Sequence, residues 1–105
     1  MSNLNDPWPI AWETAARATY ALCTFTLPGG LLSPGALPGV QLPSGLDTTR
    51  GIVFSGRGPA WLYACLVLLA HPFAWVGVHD PRLGGAIVVQ RHQVNAPGPG
   101  YVVSM

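Results

Sequence analysis

Residues 51–92 of the chain read GIVFSGRGPAWLYACLVLLAHPFAWVGVHDPRLGGAIVVQRH, and this stretch decides the fold. Its pattern predicts a short strand over 51–54, a glycine-rich turn, an apolar helix over 60–70, and strands over 74–79 and 86–91. A strand, a helix and a second strand in this order are typical of an α/β unit. We therefore predict a small single-domain α/β fold with a mixed β-sheet and one main buried helix, either ferredoxin-like or truncated Rossmann-like.

The segments on either side are expected to complete this unit. The first nine residues predict a loosely held terminus, followed by a short turn of helix around residues 12–17 and a strand over 19–27. Residues 31–47 are too rich in proline and glycine for a long regular element, and their leucines indicate that they lie across the core. Residues 101–104 are expected to add an edge strand.

The composition indicates a chain that associates with further subunits. Hydrophobic residues make up 50% of it and charged residues only 9%, against ~25% charged residues in a typical soluble domain. A surface so poor in charge leaves apolar area that another subunit usually covers. We therefore expect a homodimer or a larger assembly.

The charge of the chain restricts the kind of nucleic acid that it can bind. A formal net charge of +1 excludes bulk electrostatic attraction to long nucleic acids. All five basic residues are arginines, whose planar guanidinium matches phosphate oxygens, so a few of them could hold a short oligonucleotide. Arg17 and Arg50 are interpreted as ordinary solubilising charges.

The cysteines and the N-terminus indicate the compartment. Cys23 and Cys65 lie far apart in apolar runs, which predicts buried free thiols in a reducing compartment. No basic segment followed by an apolar one opens the chain, so we expect no secretion signal and a cytoplasmic protein. The apolar run over 60–70 is shorter than the ~20 residues of a membrane span. We expect no contact with a membrane, and an anchor made of this helix is the alternative.

Polar residues collect in two junctions of the stretch 51–92. The first is SGRGP at 55–59, where a strand feeds into a helix and leaves backbone N–H groups free to bind an anion. Arg57 could grip a phosphate there. The plain interpretation is a turn without a ligand, because the pattern is neither a Walker loop nor a dinucleotide fingerprint.

The second junction is HDPRLGG at 79–85, which also has the composition of an ordinary turn. Asp80 and Arg82 follow a predicted strand end, where open α/β sheets bind ligands. A carboxylate at this place could hold a divalent cation, and an arginine could offset the charge of a phosphate.

The chain contains three histidines, and they are not spaced as a zinc site. His71 follows the predicted helix and precedes a turn, so we expect it to be the most exposed and reactive of the three. His79 is expected to alternate with its strand, and His92 to close the last core strand. No Ser-His-Asp order, nucleophile elbow or carboxylate pair is evident.

These motifs together resemble the CRISPR-associated ring nucleases of the third, smallest kind, which accompany type III CRISPR systems. The resemblance rests on SGRGPAWLYACL, on His71, and on HDPRLGGAIVVQRH, with support from FTLPGG and GLDTTRGIVF upstream. The domain 1–105 therefore has a motif-bearing core over 45–92, and residues 1–18 match poorly. Leu68 stands where the family is expected to have a histidine.

The resemblance implies a ring nuclease that binds and cleaves cyclic tetra-adenylate, the second messenger of type III CRISPR defence, and so switches the response off. It implies a phosphodiesterase that depends on Mn²⁺, with removal of adenylates from RNA 3′ ends as a further activity. The ligand would lie between homodimers, which could stack into tetramers or filaments around it.

The resemblance also implies a role for each matching residue. It assigns catalysis to His71, with Asp80 and Arg82 completing the site from a neighbouring dimer and Asp80 holding Mn²⁺. The residues that it assigns to ligand binding are Ser55, Gly56, Arg57, Gly58 and His92. A cyclic oligoadenylate sensor that binds without cutting is the alternative function.

Overall fold

The computed structural model describes residues 10–105, so the predicted loose terminus over the first nine lies outside the described residues. The elements are β1 (Ala11–Ala16), β2 (Tyr20–Thr26), β3 (Gly51–Ser55), α1 (Ala60–Leu69), β4 (Trp75–Asp80), β5 (Gly85–Arg91) and β6 (Val102–Ser104). In this part of the chain the six strands form one sheet in the order β1-β2-β3-β4-β5-β6. The strands β2, β3 and β4 are parallel, and the outer strands join antiparallel.

A mixed sheet with one α-helix confirms the predicted α/β fold. Of the two arrangements considered, the truncated Rossmann-like one agrees with the parallel order of β2, β3 and β4. A ferredoxin-like unit needs a second crossover helix. Here the connection from β2 to β3 contains only short 3-10 turns, Pro28–Gly30 and Pro34–Gly39.

The segment before β2 is a strand, so the helical turn predicted around residues 12–17 is wrong. The strand β1 pairs with β2 along its whole length, from Ala11 opposite Thr26 to Ala16 opposite Ala21. Alanine and glutamate favour a helix in isolation, but pairing with a neighbouring strand overrides that preference. The Trp12 ring packs edge-on against Phe25 at 6.0 Å, which ties this edge strand to the core.

The larger hydrophobic core lies on the side of the sheet that α1 covers, here called the helix face. Leu62 and Leu66 of α1 are fully buried against strand residues of this face. Leucines of the connector between β2 and β3 pack on the same core, which confirms that this connector lies across it. The strand residues in this core are Cys23, Phe25, Ile52, Phe54 and Val76.

The other side of the sheet, here called the open face, carries a second, smaller core. It contains Tyr20, Val53 and Trp75, and the Tyr20 and Trp75 rings meet edge-on at 5.6 Å. Ala96 and Val103 from the C-terminal segment pack against it. The open face is therefore covered by loop and by the last strand, without a helix in the described part of the chain.

The helix α1 is covered on one side only by the described residues, so the predicted buried helix is in fact half-exposed. Leu62 and Leu66 are its buried residues, whereas 71% of Leu68 and 37% of Trp61 are exposed. The reason is that the residues 10–105 contain no second layer outside α1. No helix among these residues has the length and apolar character that a membrane crossing requires.

The cysteines are free thiols, as predicted, but only one of them is fully buried. Cys23 lies in the helix-face core, where burial raises the pKa of its thiol to about 11. Cys65 is half-buried on α1. The prediction that both are buried is therefore correct for Cys23 and wrong for Cys65.

Candidate functional site

The polar residues predicted to form the site lie at the two ends of the parallel strands β2, β3 and β4. The side where these strands end is here called the carboxyl edge, and the side where they begin is called the amino edge. At the carboxyl edge, β3 ends at Ser55 and β4 ends at Asp80. At the amino edge, α1 has returned the chain to the start of β4, and His71 lies in the turn before that strand. The strand β5 ends there too, so His92 lies at the same edge as His71.

The SGRGP turn at the carboxyl edge requires glycine at positions 56 and 58, because a side chain at either position would collide with β2. Gly56 has φ +145°, and a Cβ built on it would lie 2.5 Å from the carbonyl oxygen of Phe25. A Cβ on Gly58 would lie 2.8 Å from the Phe25 ring. The two glycines therefore let the turn lie directly on β2, which fixes its position relative to the sheet.

Tyr63 holds this turn from the helix side, a role that the sequence did not reveal. Its hydroxyl donates a hydrogen bond to the carbonyl oxygen of Gly56 at 2.6 Å. Its ring packs edge-on against Phe25, with the ring centres 5.3 Å apart. Burial raises the pKa of Tyr63, so the hydroxyl keeps its proton and remains a donor. Tyr63 lies one turn into α1, so the helix places its hydroxyl against the SGRGP turn.

The start of α1 is open to an anion. Pro59 is the N-cap residue and supplies no side-chain hydrogen bond, and the first turn contains no acidic residue. Backbone N–H groups in the first turn of a helix lack intrahelical acceptors and carry partial positive charge. Arg57 is exposed beside them and forms no ion pair within residues 10–105. These are the properties of a phosphate-binding turn.

Asp80 and Arg82 form an ordered turn at the same edge. The backbone N–H of Arg82 donates to Oδ1 of Asp80 at 2.9 Å, and its guanidinium lies 3.5 Å from Oδ2. The side-chain hydrogen bond from Arg82 is the main reason why the pKa of Asp80 is lowered. The Arg82 side chain is 90% exposed, whereas that of Asp80 is only 25% exposed. The guanidinium of Arg82 is therefore accessible to a ligand while it is paired with Asp80.

The structure adds His79 to this edge. Its Nδ1 lies 2.9 Å from Oγ of Ser55. The two residues are neighbours because β3 and β4 are parallel and Phe54 is in register with Val78. The sequence contained a signal for this contact, since both residues lie at predicted strand ends, but the register of the two strands was needed to pair them.

His92 at the amino edge is held in one orientation. Its Nδ1 lies 2.8 Å from the carbonyl oxygen of Phe73, and its backbone N–H donates to the carbonyl oxygen of Ala74 at 2.8 Å. A carbonyl oxygen only accepts, so Nδ1 must carry a proton and donate. The other ring nitrogen, Nε2, is then the one that can meet a ligand. His71 is exposed, as predicted.

One subunit does not bring its predicted catalytic residues together. Asp80 and Arg82 lie at the carboxyl edge and His71 at the amino edge, and six residues of β4 separate the two edges. A strand rises ~3.3 Å per residue, so the five steps from Trp75 to Asp80 span about 16 Å along the sheet. A phosphodiester is much smaller than that. Any site that uses all three residues must take them from different subunits.

A manganese site is not complete within one subunit. Residues 10–105 contain no group of three or more histidine, cysteine, aspartate or glutamate side chains placed to hold a metal ion. Asp80 is the carboxylate at the end of β4, and its two oxygens already accept from Arg82. Divalent cations of oxygen sites are often held by one or two carboxylates together with phosphates of the substrate. Asp80 fits only that kind of site.

Two of the clefts that residues 10–105 line lie away from the carboxyl edge. The larger, of about 670 Å³, borders the amino edge on the open face, where Ala74, Trp75, Gln93 and Tyr101 contribute to its walls. The smaller, of about 260 Å³, lies between β1 and the loop around Asp47. Arg50 lines both clefts, and its guanidinium donates to the carbonyl oxygen of Arg17. Arg50 therefore also orders the backbone between β1 and β2, beyond the solubilising role predicted for it.

Comparison with known proteins agrees with the position of these motifs. The chain is 59% identical over 44 residues to a protein of Aquifex aeolicus (strain VF5) described as uncharacterized, a match that covers 42% of this chain and 40% of that relative. The chain thus matches two fifths of the relative's length. The profile of the CRISPR-associated protein family Cas_csx3 matches residues 25–104, which include both edges of the sheet. The chain belongs to this family of CRISPR-associated proteins.

Proposed function

We propose that the chain is a ring nuclease, which binds cyclic tetra-adenylate between subunits and cleaves a phosphodiester bond of the ring. Membership of a CRISPR-associated family is consistent with a role in that defence. The observation that carries the proposal is the placement of the SGRGP turn and Arg82 at one edge and of the exposed His71 at the other. If two such subunits face each other, a ring between them would contact the carboxyl edge of one subunit and the amino edge of the other.

The carboxyl edge would bind the ring phosphates. Gly56 and Gly58 allow close approach to the backbone, and the open start of α1 favours an anion. Ser55 and Arg57 add a hydroxyl and a guanidinium. Arg82 would lie against the phosphate that is cut and stabilise the negative charge that develops on its oxygens. Asp80 would hold Arg82 in that position through the two contacts described above.

The amino edge of a second subunit would supply the proton transfer. His71 is exposed in the turn that follows α1. An imidazole takes up and releases protons near neutral pH, so His71 would move a proton to or from the attacking or leaving oxygen. His92 would contact the ligand through Nε2, because Nδ1 is held by Phe73. This arrangement requires at least two facing subunits, and stacking of dimers into tetramers or filaments would repeat it.

Mn²⁺ belongs to the proposal as an ion held by Asp80 and phosphate oxygens of the ring. When bound it would neutralise phosphate charge. None of the roles given to His71, Arg82 or the SGRGP turn depends on it. Removal of adenylates from RNA 3′ ends would use the same groups, because a linear adenylate presents the same phosphodiester.

A cyclic oligoadenylate sensor that binds without cutting is the second candidate function. It is favoured by Leu68, which is 71% exposed on α1 where a histidine was expected. An aliphatic side chain cannot transfer a proton or bind a metal ion. If the missing histidine is needed for catalysis, the chain would bind the ligand and later release it uncut.

The test is incubation of the purified protein with cyclic tetra-adenylate, in Mn²⁺ and in chelator, followed by chromatography of the products. We expect the ring to be converted into linear products in Mn²⁺. His71→Ala is expected to abolish cutting and leave binding largely intact, whereas Arg57→Ala is expected to weaken binding. An intact ring that still binds would favour the sensor. An intact ring that does not bind would contradict both functions.

A further inference from the structure

The larger cleft on the open face, here called the open-face cleft, has no role in the proposed function. Its volume of about 670 Å³ lies within the usual range of ligand pockets, about 300–1,000 Å³. The residues that line it include Arg50, Trp75, Gln93, Asn95 and Tyr101. None of the described residues in its walls is acidic, so the cleft combines amides and aromatic rings with a positive charge.

We propose that the open-face cleft binds an adenine nucleotide, with the base held by Tyr101 and by the amides of Gln93 and Asn95. The ligand class is an adenosine phosphate, either as one unit of an oligoadenylate or as a free mononucleotide. This inference rests on the proposed function where the adenosine is a unit of the ring, and it then adds base recognition to the phosphate contacts described above.

The loop that carries Gln93 and Asn95 is anchored to the sheet. The backbone N–H of Ala96 donates to the carbonyl oxygen of Gln93 at 3.1 Å and closes a turn that contains Asn95, and Ala96 packs on the core of the open face. The backbone N–H of His92, directly before this turn, donates to the carbonyl oxygen of Ala74, which lines the cleft. Gln93 and Asn95 are both exposed, so a ligand can reach residues whose backbone is fixed.

Tyr101 adds an accessible aromatic ring to the wall of the cleft. Its backbone N–H donates to the carbonyl oxygen of Gly98 at 3.0 Å, and its carbonyl oxygen accepts from the N–H of Val88 in β5 at 2.9 Å. The residue is nevertheless 61% exposed. Nucleobases stack on accessible aromatic side chains, and ordered backbone on both sides of the ring favours such a contact.

Trp75 gives the cleft a rigid floor. Only 4% of this residue is exposed, and its indole lies so close to Gly51 that no Cβ would fit there. The ring of Tyr20 meets the indole edge-on at 5.6 Å. A floor that is packed in this way keeps the shape of the cleft without a ligand, which lowers the cost of binding one.

The amides favour adenine among the purine bases. A side-chain amide presents a donor beside an acceptor. Adenine presents its N6 donor beside its N7 acceptor, so Asn or Gln can form two hydrogen bonds with it. The same edge of guanine has two acceptors, N7 and O6, and an amide would leave one of them unpaired.

Arg50 supplies the charge that a phosphate requires. Its guanidinium donates to the carbonyl oxygen of Arg17, a neutral acceptor, and forms no ion pair within residues 10–105. A guanidinium has five N–H donors, so others remain for a phosphate. The carboxylate of Asp47 lies in the smaller cleft and accepts from the N–H and the hydroxyl of Thr49.

The experiment compares the affinities of the chain for adenosine 5′-monophosphate and guanosine 5′-monophosphate by calorimetry. We expect the adenine nucleotide to bind about tenfold more tightly, which is the discrimination of one pair of hydrogen bonds to a base. The double variant Gln93→Ala, Asn95→Ala is expected to bind the two mononucleotides equally. The same double change in the His71→Ala chain, which is not expected to cut the ring, should weaken the binding of cyclic tetra-adenylate about fivefold or more.

Three single variants separate stacking from a general effect on the fold. Tyr101→Ala is expected to weaken the binding of the adenine nucleotide about tenfold, whereas Tyr101→Phe keeps the ring and should change it less than twofold. Val94→Ala is the matched control, because Val94 is 94% exposed in the same turn and is not among the residues that line the cleft. The melting temperature of each variant verifies that folded proteins are being compared.

The outcomes distinguish this inference from the function on which it rests. Equal affinity of the parent chain for the two mononucleotides, or a preference that survives the double variant, would overturn the adenine site, and binding of the ring would then leave the proposed function in place. Selective binding of the adenine mononucleotide without binding of the ring would overturn the proposed function and support the cleft as a site for the free nucleotide. Absence of binding of all three probes would overturn both.

Discussion

At the scale of single residues, Arg82 controls the charge of its neighbour Asp80. The side-chain hydrogen bond from Arg82 is the largest cause of the lowered pKa of Asp80, and its backbone N–H adds to it. Because the pKa is lowered in the folded chain, the carboxylate favours the folded state above its ordinary pKa of ~3.9. That contribution is lost as the pH falls through the lower value of the folded state.

Replacement of the guanidinium should therefore be visible at Asp80 directly. We expect Arg82→Ala to raise the pKa of Asp80 towards its ordinary value, though not fully, since the backbone N–H at position 82 remains. Arg57→Ala, a change of charge in the other turn of the same edge, is expected to leave it unchanged. The measurement is the titration of the Asp80 carboxyl carbon by NMR. An equal pKa in the parent and in Arg82→Ala would contradict this pairing.

At the scale of elements, the turn between β3 and α1 is the part of the fold on which the proposed phosphate binding depends most. Gly56 adopts φ +145°, and its missing Cβ leaves room for the Phe25 carbonyl oxygen. Tyr63 closes the turn from α1. The turn is thus positioned by β2, by α1 and by its own backbone, which suits a site that must present N–H groups to an anion.

Gly56→Ala should damage both stability and ligand binding. Strain in this region of φ costs about 1–3 kcal/mol, and the close contact with Phe25 adds to it. Gly39→Ala is the matched control, because Gly39 has no atom within 4 Å of a built Cβ and no positive φ. Chemical denaturation of both variants measures the difference in free energy of unfolding. Equal stability of the two would show that the turn does not have the described backbone.

The elements could be predicted from the sequence where glycine and proline separate apolar runs, as they do for β3, α1, β4 and β5. The strand β1 could not, because alanine and glutamate favour a helix and only pairing with β2 decides otherwise. The turn that contains Asp80 and Arg82 could be predicted, because Asp-Pro-Arg after a strand end is typical of a turn, and their roles in catalysis and metal binding stay predictions. The contact of His79 with Ser55 could not be predicted, because it depends on strand register.

At the scale of the whole molecule, the arrangement of the two edges has the largest consequence. His71 and the Asp80–Arg82 turn lie at opposite ends of β4, so a single subunit cannot apply both to one phosphodiester. Residues 10–105 leave the outer side of α1 uncovered, and the apolar side chains Trp61, Leu68 and Leu69 are exposed there. Association into a homodimer or a larger assembly stays a prediction, and the first feature makes it a condition of the proposed catalysis.

The most direct test of this account is a mixing experiment with two inactive variants, His71→Ala and Asp80→Ala. Each is expected to leave cyclic tetra-adenylate uncut by itself, because each lacks one half of the site. When they are mixed in equal amounts and allowed to exchange subunits, a contact between different subunits carries both intact groups about one time in four, so we predict roughly a quarter of the parental cutting rate. A mixture as inactive as its components, although the parent cuts the ring, would contradict a site shared between subunits.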